Sequence, residues 1–146
     1  QFTKIEQIVI CHPDDSWGHH EELLDNAISL WDNLGLHYRV VNICTGDMGT
    51  VASRKYDLEA WLPGAGDYKE VVSCSNCTDY QANRLRMRYR TTEGNAAVHT
   101  LNSTAVATSR ALVAIMEQNQ MEDGRVSIPE VLRPYMGGQV ALEPLH

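Results

Sequence analysis

No run of about eighteen apolar residues occurs in the sequence, which excludes a transmembrane helix and gives no reason to expect a membrane partner. The first residues also lack the charged-then-apolar layout of a signal peptide. There is no internal repeat, low-complexity tract or linker, so repeat arrays and disordered tethers are set aside. Cysteine is scarce: Cys11, Cys44, Cys74 and Cys77 are too few and too scattered for a secreted disulfide scaffold, and a reducing cytoplasm is the expected location. A basic surplus is missing as well. The net charge of −7 gives bulk charge no role in nucleic-acid binding. The easily recognised phosphate loops are absent too: there is no G-x-x-x-x-G-K-[ST], and Gly64-x-Gly66 lacks the third glycine and following helix of a dinucleotide fingerprint. Any nucleotide bound here must be held by side chains.

What is present is the composition of one folded domain: 146 residues, 43% hydrophobic and 21% charged. The acids are unevenly spread, with Glu6, Asp14, Asp15, Glu21, Glu22, Asp25 and Asp32 set against Lys4 alone in the first 35 positions. Arg84, Arg86, Arg88 and Arg90 form a local basic exception; placed on a helix, alternate positions splay rather than form one stripe. The chain opens at Gln1 directly in strand-like sequence, as expected of a piece of a longer polypeptide.

Alternation and β-branched residues from Phe2 to Cys11 predict a strand, broken at Pro13. Asp15 or Ser16 then caps a helix in which Trp17, His20, Leu23, Leu24, Ala27, Ile28, Trp31 and Leu34 recur at three- and four-residue intervals, with Gly35 as the left-handed stop. Strand signals return at His37–Cys44, Tyr56–Leu62 and Lys69–Cys74, separated by glycine-bearing turns. The spacing predicts a helix over 78–88, a short strand at Val98–Leu101, a helix from Ser103 to Gln120 and an irregular tail. Strands joined by short turns, with helices between groups, make this an α+β domain: an antiparallel β-sheet flanked by helices.

Candidate chemistry is sparse when each motif is read alone. Cys74-x-x-Cys77 is half of a zinc pattern with no second pair, and fits buried structural cysteines better. Adjacent His19 and His20 point in different directions on a helix. Glu70 and Ser73, three apart near a strand end, fit an edge carboxylate and a turn serine; a twist or bulge would instead aim both oxygens at one hard cation such as Mg2+. Arg110, in a helix of small residues, is either a surface arginine or a bidentate phosphate ligand. Phe2, Lys4 and Glu6 share one strand face, as a solvated edge or as a stacking ring beside a carboxylate.

Taken together, several stretches resemble the C-terminal part of the catalytic domain of class II seryl-tRNA synthetases, over the whole chain and nearly without gaps. They are Gln1-Phe2-Thr3-Lys4-Ile5-Glu6-Gln7, Asn42 to Gly49, Tyr56 to Pro63, Ser73-Cys74-Ser75-Asn76-Cys77-Thr78-Asp79-Tyr80-Gln81-Ala82, and His99 to Thr104 leading to Arg110. The resemblance implies that serine and ATP form seryl-adenylate and pyrophosphate, after which the seryl group passes to tRNA(Ser). It implies that Phe2 stacks on adenine, that Glu6, Asn102 and Thr104 surround the serine substrate, and that Glu70 and Ser73 hold Mg2+ and the ATP phosphates. Val71 and Val72 fall between them in the ATP-binding stretch, and Arg110 matches the motif 3 arginine on the γ-phosphate; Glu70 and Arg110 are the implied catalytic pair. A cytoplasmic homodimer is implied for the full-length family protein. Motif 1, the first strand of motif 2 and the helical tRNA-reading arm have no counterpart in the sequence, so the chain alone is expected to form little or no adenylate. Two other readings stand beside this one: a non-ligating module derived from a synthetase that binds ATP or an amino acid, and serine transfer to an acceptor other than tRNA.

Overall fold

The computed structural model describes residues 1–144. Nine strands and three α-helices are present among them. The first strand, β1 (Lys4–Cys11), passes through a 3-10 turn at Pro13–Asp15 into α1 (Ser16–Asn33), which stops at Gly35 with φ +67°. Then come β2 (Tyr38–Asn42), β3 (Arg54–Leu62), β4 (Asp67–Asn76), α2 (Tyr80–Leu85), the hairpin β5 (Arg88–Thr91) and β6 (Gly94–Ala97), β7 (His99–Ala107) and α3 (Thr108–Gln118). The tail is more regular than expected: β8 (Val126–Ser127) pairs with β9 (Ala141–Leu142), and a 3-10 segment spans Glu130–Met136.

Five strands form one antiparallel sheet in the order β1-β7-β4-β3-β2. Its core face carries Leu58 and Ala60 of β3, Val72 and Cys74 of β4 and Leu101 of β7. Against these pack Leu23, Leu24, Ala27 and Trp31 of α1 and Ala111 and Ala114 of α3. The helical period of α1 thus does what its spacing implies, with one exception: Trp17 lies outside the buried face and is 46% exposed. Cys74 and Cys77 are both buried and unpaired, in agreement with a structural role, and burial pushes the Cys74 thiol up to about 11.

Two boundaries differ from the sequence reading. The residues from Ser103 to Ala107 extend β7 instead of opening α3, which begins at Thr108. They continue the strand whose residues Leu101 to Ser103 pair with β4, and Ser103, Thr104, Val106 and Ala107 pair with β1, where small side chains suit close packing. The expected helix over 78–88 ends at Leu85 because Arg86 adopts a left-handed conformation (φ 56°) that closes the last turn, and Arg88 starts a hairpin.

Candidate active site

The sheet face opposite the helices is polar, and strand register shows how it is assembled. Ser75 of β4 lies opposite Asn102 of β7, which lies opposite Ile8 of β1; Glu6 lies opposite Thr104, and Asp57 of β3 opposite Ser73. Two bulges complete the arrangement. One, at Leu58/Glu59, pairs Leu58 with Val72 and Glu59 with Glu70, leaving Val71 as the extra residue. Residues three apart on a regular strand face opposite sides, so this inserted residue is what turns Glu70 to the side of Ser73. The other, at Ile5/Glu6, leaves Ala105 unpaired and places Glu6 against Thr104.

At the β1–β7 end, Thr104 Oγ1 donates to Glu6 Oε1 at 3.1 Å, and Lys4 Nζ forms an ion pair with the same oxygen. Asn102 Nδ2 points to Cys77 Sγ at 3.8 Å. Phe2 precedes β1 and is 53% exposed. Its segment is fixed to the start of α3, because the backbone N–H and Oγ1 of Thr108 both donate to the Thr3 carbonyl, at 3.1 and 2.8 Å.

At the β4–α3 end, Arg110 Nη1 donates to the Glu70 carbonyl at 2.8 Å and to Glu70 Oε1 at 3.2 Å. Both side chains line an open cleft of about 430 Å3 between β4 and α3, with Val71 and Ser109 in its wall. Val71 and Val72 are both buried in the core, and of the two only Val71 also lines the cleft, which leaves Val72 only its backbone to reach a nucleotide. Phe2, Glu6, Asn102 and Thr104 lie outside this cleft, the last three on the open sheet face and Phe2 in the segment before β1.

Asp57, opposite Ser73, is a buried carboxyl that the sequence pattern did not single out. It is only 4% exposed, its Oδ1 has no hydrogen-bond partner among the described residues, and Lys55 Nζ stands 3.7 Å from Oδ2. Burial holds its carboxyl above the usual range; Ser73 and Lys55 oppose that rise, whereas Glu70 and Glu59 add to it. The only signal available in the sequence was indirect: the spacing that sets Asp57 opposite Ser73 across the β3–β4 turn. A buried carboxylate with a free oxygen beside a serine hydroxyl and a second carboxylate offers the hard oxygen donors that Mg2+ takes. The donor chemistry of this group of residues therefore fits that ion.

An antiparallel sheet with helices on one face and a polar, bulge-built site on the other defines a class II synthetase core. A family model of the tRNA synthetase class II core domain (G, H, P, S and T) matches residues 1–119, and the chain belongs to that family. It is 64% identical over 139 residues to the serine–tRNA ligase of Methanospirillum hungatei, an alignment covering 93% of this chain and 33% of that protein. The seryl-tRNA synthetase of Pyrococcus horikoshii, solved in complex with ATP, superposes with a TM-score of 0.96 at 55% identity, covering 100% of this chain and 33% of that one. The cytoplasmic serine–tRNA ligase of Naegleria fowleri in complex with AMP gives a TM-score of 0.93 at 46% identity, covering 35% of its chain. The chain thus spans about a third of the length of these relatives.

Proposed function

We propose that this chain is the portion of a seryl-tRNA synthetase that binds ATP and L-serine for adenylate formation, before the seryl group is passed to tRNA(Ser). The observation that carries the reading is the bulge that brings Glu70 and Ser73 to one face with Arg110 beside them. Serine and ATP react by attack of the serine carboxylate on the α-phosphorus: a carboxyl O–P bond forms, the α–β phosphoanhydride bond breaks, and pyrophosphate leaves. The attacking carboxylate is already ionised, so no general base is required. The main obstacle is repulsion between two anions, which positioning and counter-charge overcome.

Each residue has a defined part in this scheme. Arg110 turns its guanidinium from Glu70 to the γ-phosphate, which frees the Glu70 carboxylate. Glu70 and Ser73 would hold Mg2+, which supplies neutralising charge to the phosphates. Val71 and Val72 contribute backbone and wall to the same nucleotide site, and Phe2 offers its ring to adenine. Glu6, Thr104 and Asn102 form the serine end, where Glu6 and Thr104 pair the substrate hydroxyl. The full-length family resemblance extends the reading to a cytoplasmic homodimer.

Serine-dependent ATP–pyrophosphate exchange by the synthetase containing this segment tests the proposal. Exchange with serine and a drop of roughly 10⁴-fold with alanine are expected, because alanine leaves the hydroxyl partners unmatched. Equal exchange with both amino acids, or none with either, would refute it.

A further inference from the structure

The arginine run takes no part in the site described above, and among the described residues it shares its lack of ion pairs only with Arg133, whose Nε donates to the Ile128 carbonyl at 3.0 Å. All three lysines are paired with carboxylates: Lys4 with Glu6, Lys55 with Asp57 and Lys69 with Asp67. Arg39, Arg54, Arg110 and Arg125 likewise pair with Glu59, Glu21, Glu70 and Asp123. Arg84, Arg86, Arg88 and Arg90 form no ion pair among the described residues, in a chain whose net charge is −7. The structure also changes their geometry from the helical expectation. Only Arg84 belongs to α2, where it stacks on Tyr80 with its Cζ 3.4 Å from the ring centre. Arg88 and Arg90 lie on a strand, where alternate residues share a face, and both are exposed while Tyr89 between them turns inward. Alternation that splays cations on a helix aligns them here.

This arm has a fixed position relative to the serine end. The Tyr89 ring meets His12 just beyond β1, with centroids 4.7 Å apart, and Thr100 Oγ1 of β7 donates to Gln81 Oε1 of α2 at 2.7 Å. From Glu6 to His12 along β1 is about 20 Å at the rise of a strand, a distance a few nucleotides of extended RNA can span.

We propose that the outward strand face of Arg88 and Arg90, together with the exposed Arg86 at the turn just before it, is a phosphate-contacting surface for the RNA that receives the seryl group. The inference rests on the proposed function, since it supplies the acceptor with a footing separate from the adenylate site. Its contacts are to backbone phosphates, which position the acceptor without reading its sequence. Arg88 is partly committed to the fold, because its Nη1 donates to the carbonyls of Ala82 and Met87 at 3.1 and 2.9 Å. Arg86 and Arg90 have no such bond among the described residues and are the ones to change.

The test uses the R86E/R90E variant of the synthetase containing this segment. Three quantities are compared with the unsubstituted enzyme: serine-dependent ATP–pyrophosphate exchange, the KM for tRNA(Ser) in aminoacylation, and the salt dependence of tRNA binding. Exchange is expected to stay within about twofold and the tRNA KM to rise at least tenfold. The slope of log K against log salt is expected to flatten by roughly 0.7–0.9 for each phosphate that is no longer neutralised. An unchanged tRNA KM and salt slope would overturn the inference, as would a parallel loss of exchange, which would assign these arginines to the fold or the adenylate site. Failure of exchange in the unsubstituted enzyme is distinguishable from both, and would refute the proposed function along with the inference built on it.

Discussion

The two faces of the central sheet are made from the same strands by alternate residues, yet they follow different rules. On one face Leu58, Val72 and Leu101 meet Trp31, Leu24 and Ala114, and the cluster is supplied by α1, α3, the sheet itself and Leu36 of the α1–β2 connection. On the other, Glu6, Asp57, Ser73, Glu70 and Asn102 stand in register with partners that pair some of their polar atoms but not all, the Asp57 Oδ1 being the clearest case. Regular alternation suffices for a core, which needs only apolar residues of suitable volume. A site needs particular atoms on one side, and each bulge breaks the alternation at the place where this chain gathers them.

Substitutions that act on one face only should separate these roles. The largest effect is expected from Trp31→Ala, which removes a wholly buried indole from the core and should cost about 3–5 kcal/mol in urea unfolding. A cost below about 1 kcal/mol would show that the α1 contact is not what holds the sheet. Inserting one alanine between Leu58 and Glu59 gives Val71 a partner and removes the bulge. Secondary structure should stay near normal by circular dichroism while exchange is abolished, because Glu70, three residues from Ser73 on a now regular strand, would face away from it. Retained exchange would show that the bulge does not build the site. Thr104→Val keeps the volume but loses the bond to Glu6. It is expected to raise the serine KM about tenfold and leave the ATP KM within about twofold, and an equal change in both would place Thr104 outside the serine end.

The smallest effect concerns pH. His20 is buried, bonded through Nε2 to the Cys74 carbonyl at 3.2 Å, and has no partner at Nδ1 among the described residues; burial lowers its pKa below the ordinary 6.5. The unfolded chain binds the proton first, so stability should decline as pH falls through about 6.5 toward the lower native value. Urea midpoints measured between pH 7.5 and 5 should show this decline, and His20→Gln should flatten it; equal slopes in the two proteins would mean other groups set the dependence.

The core face was legible in the sequence to a greater degree than the site. Three- and four-residue spacing marked α1, and alternation marked β1 through β4, because both patterns record a single buried side. The β7–α3 boundary was not legible: Ser103 to Ala107 are small and buried on an interior strand, so no alternation separates them from a small-residue helix. The β5–β6 hairpin was hidden for another reason. Its alternating arginines do have the strand period, but they follow α2 without a glycine or proline to mark the change, and the left-handed turn falls on Arg86. The spacing of Glu70 and Ser73 hinted at a bulge, whereas the register that brings Asp57 to the same place depends on the whole β3–β4 pairing. The identities of Phe2, Asn102, Thr104 and Arg110 as site residues came from family resemblance rather than from any local pattern.

The most direct test of the polar face as an adenylate-forming site is to measure exchange and stability on the same variants, Glu70→Ala and Arg110→Ala, in the synthetase containing this segment. Both side chains are about half exposed and their mutual ion pair contributes little to folding, so unfolding free energies should change by less than about 1 kcal/mol. Serine-dependent exchange should fall by about 10² or more in each. Near-normal exchange in either variant, or a loss of exchange matched by a loss of folded protein, would contradict the assignment of this face to adenylate formation.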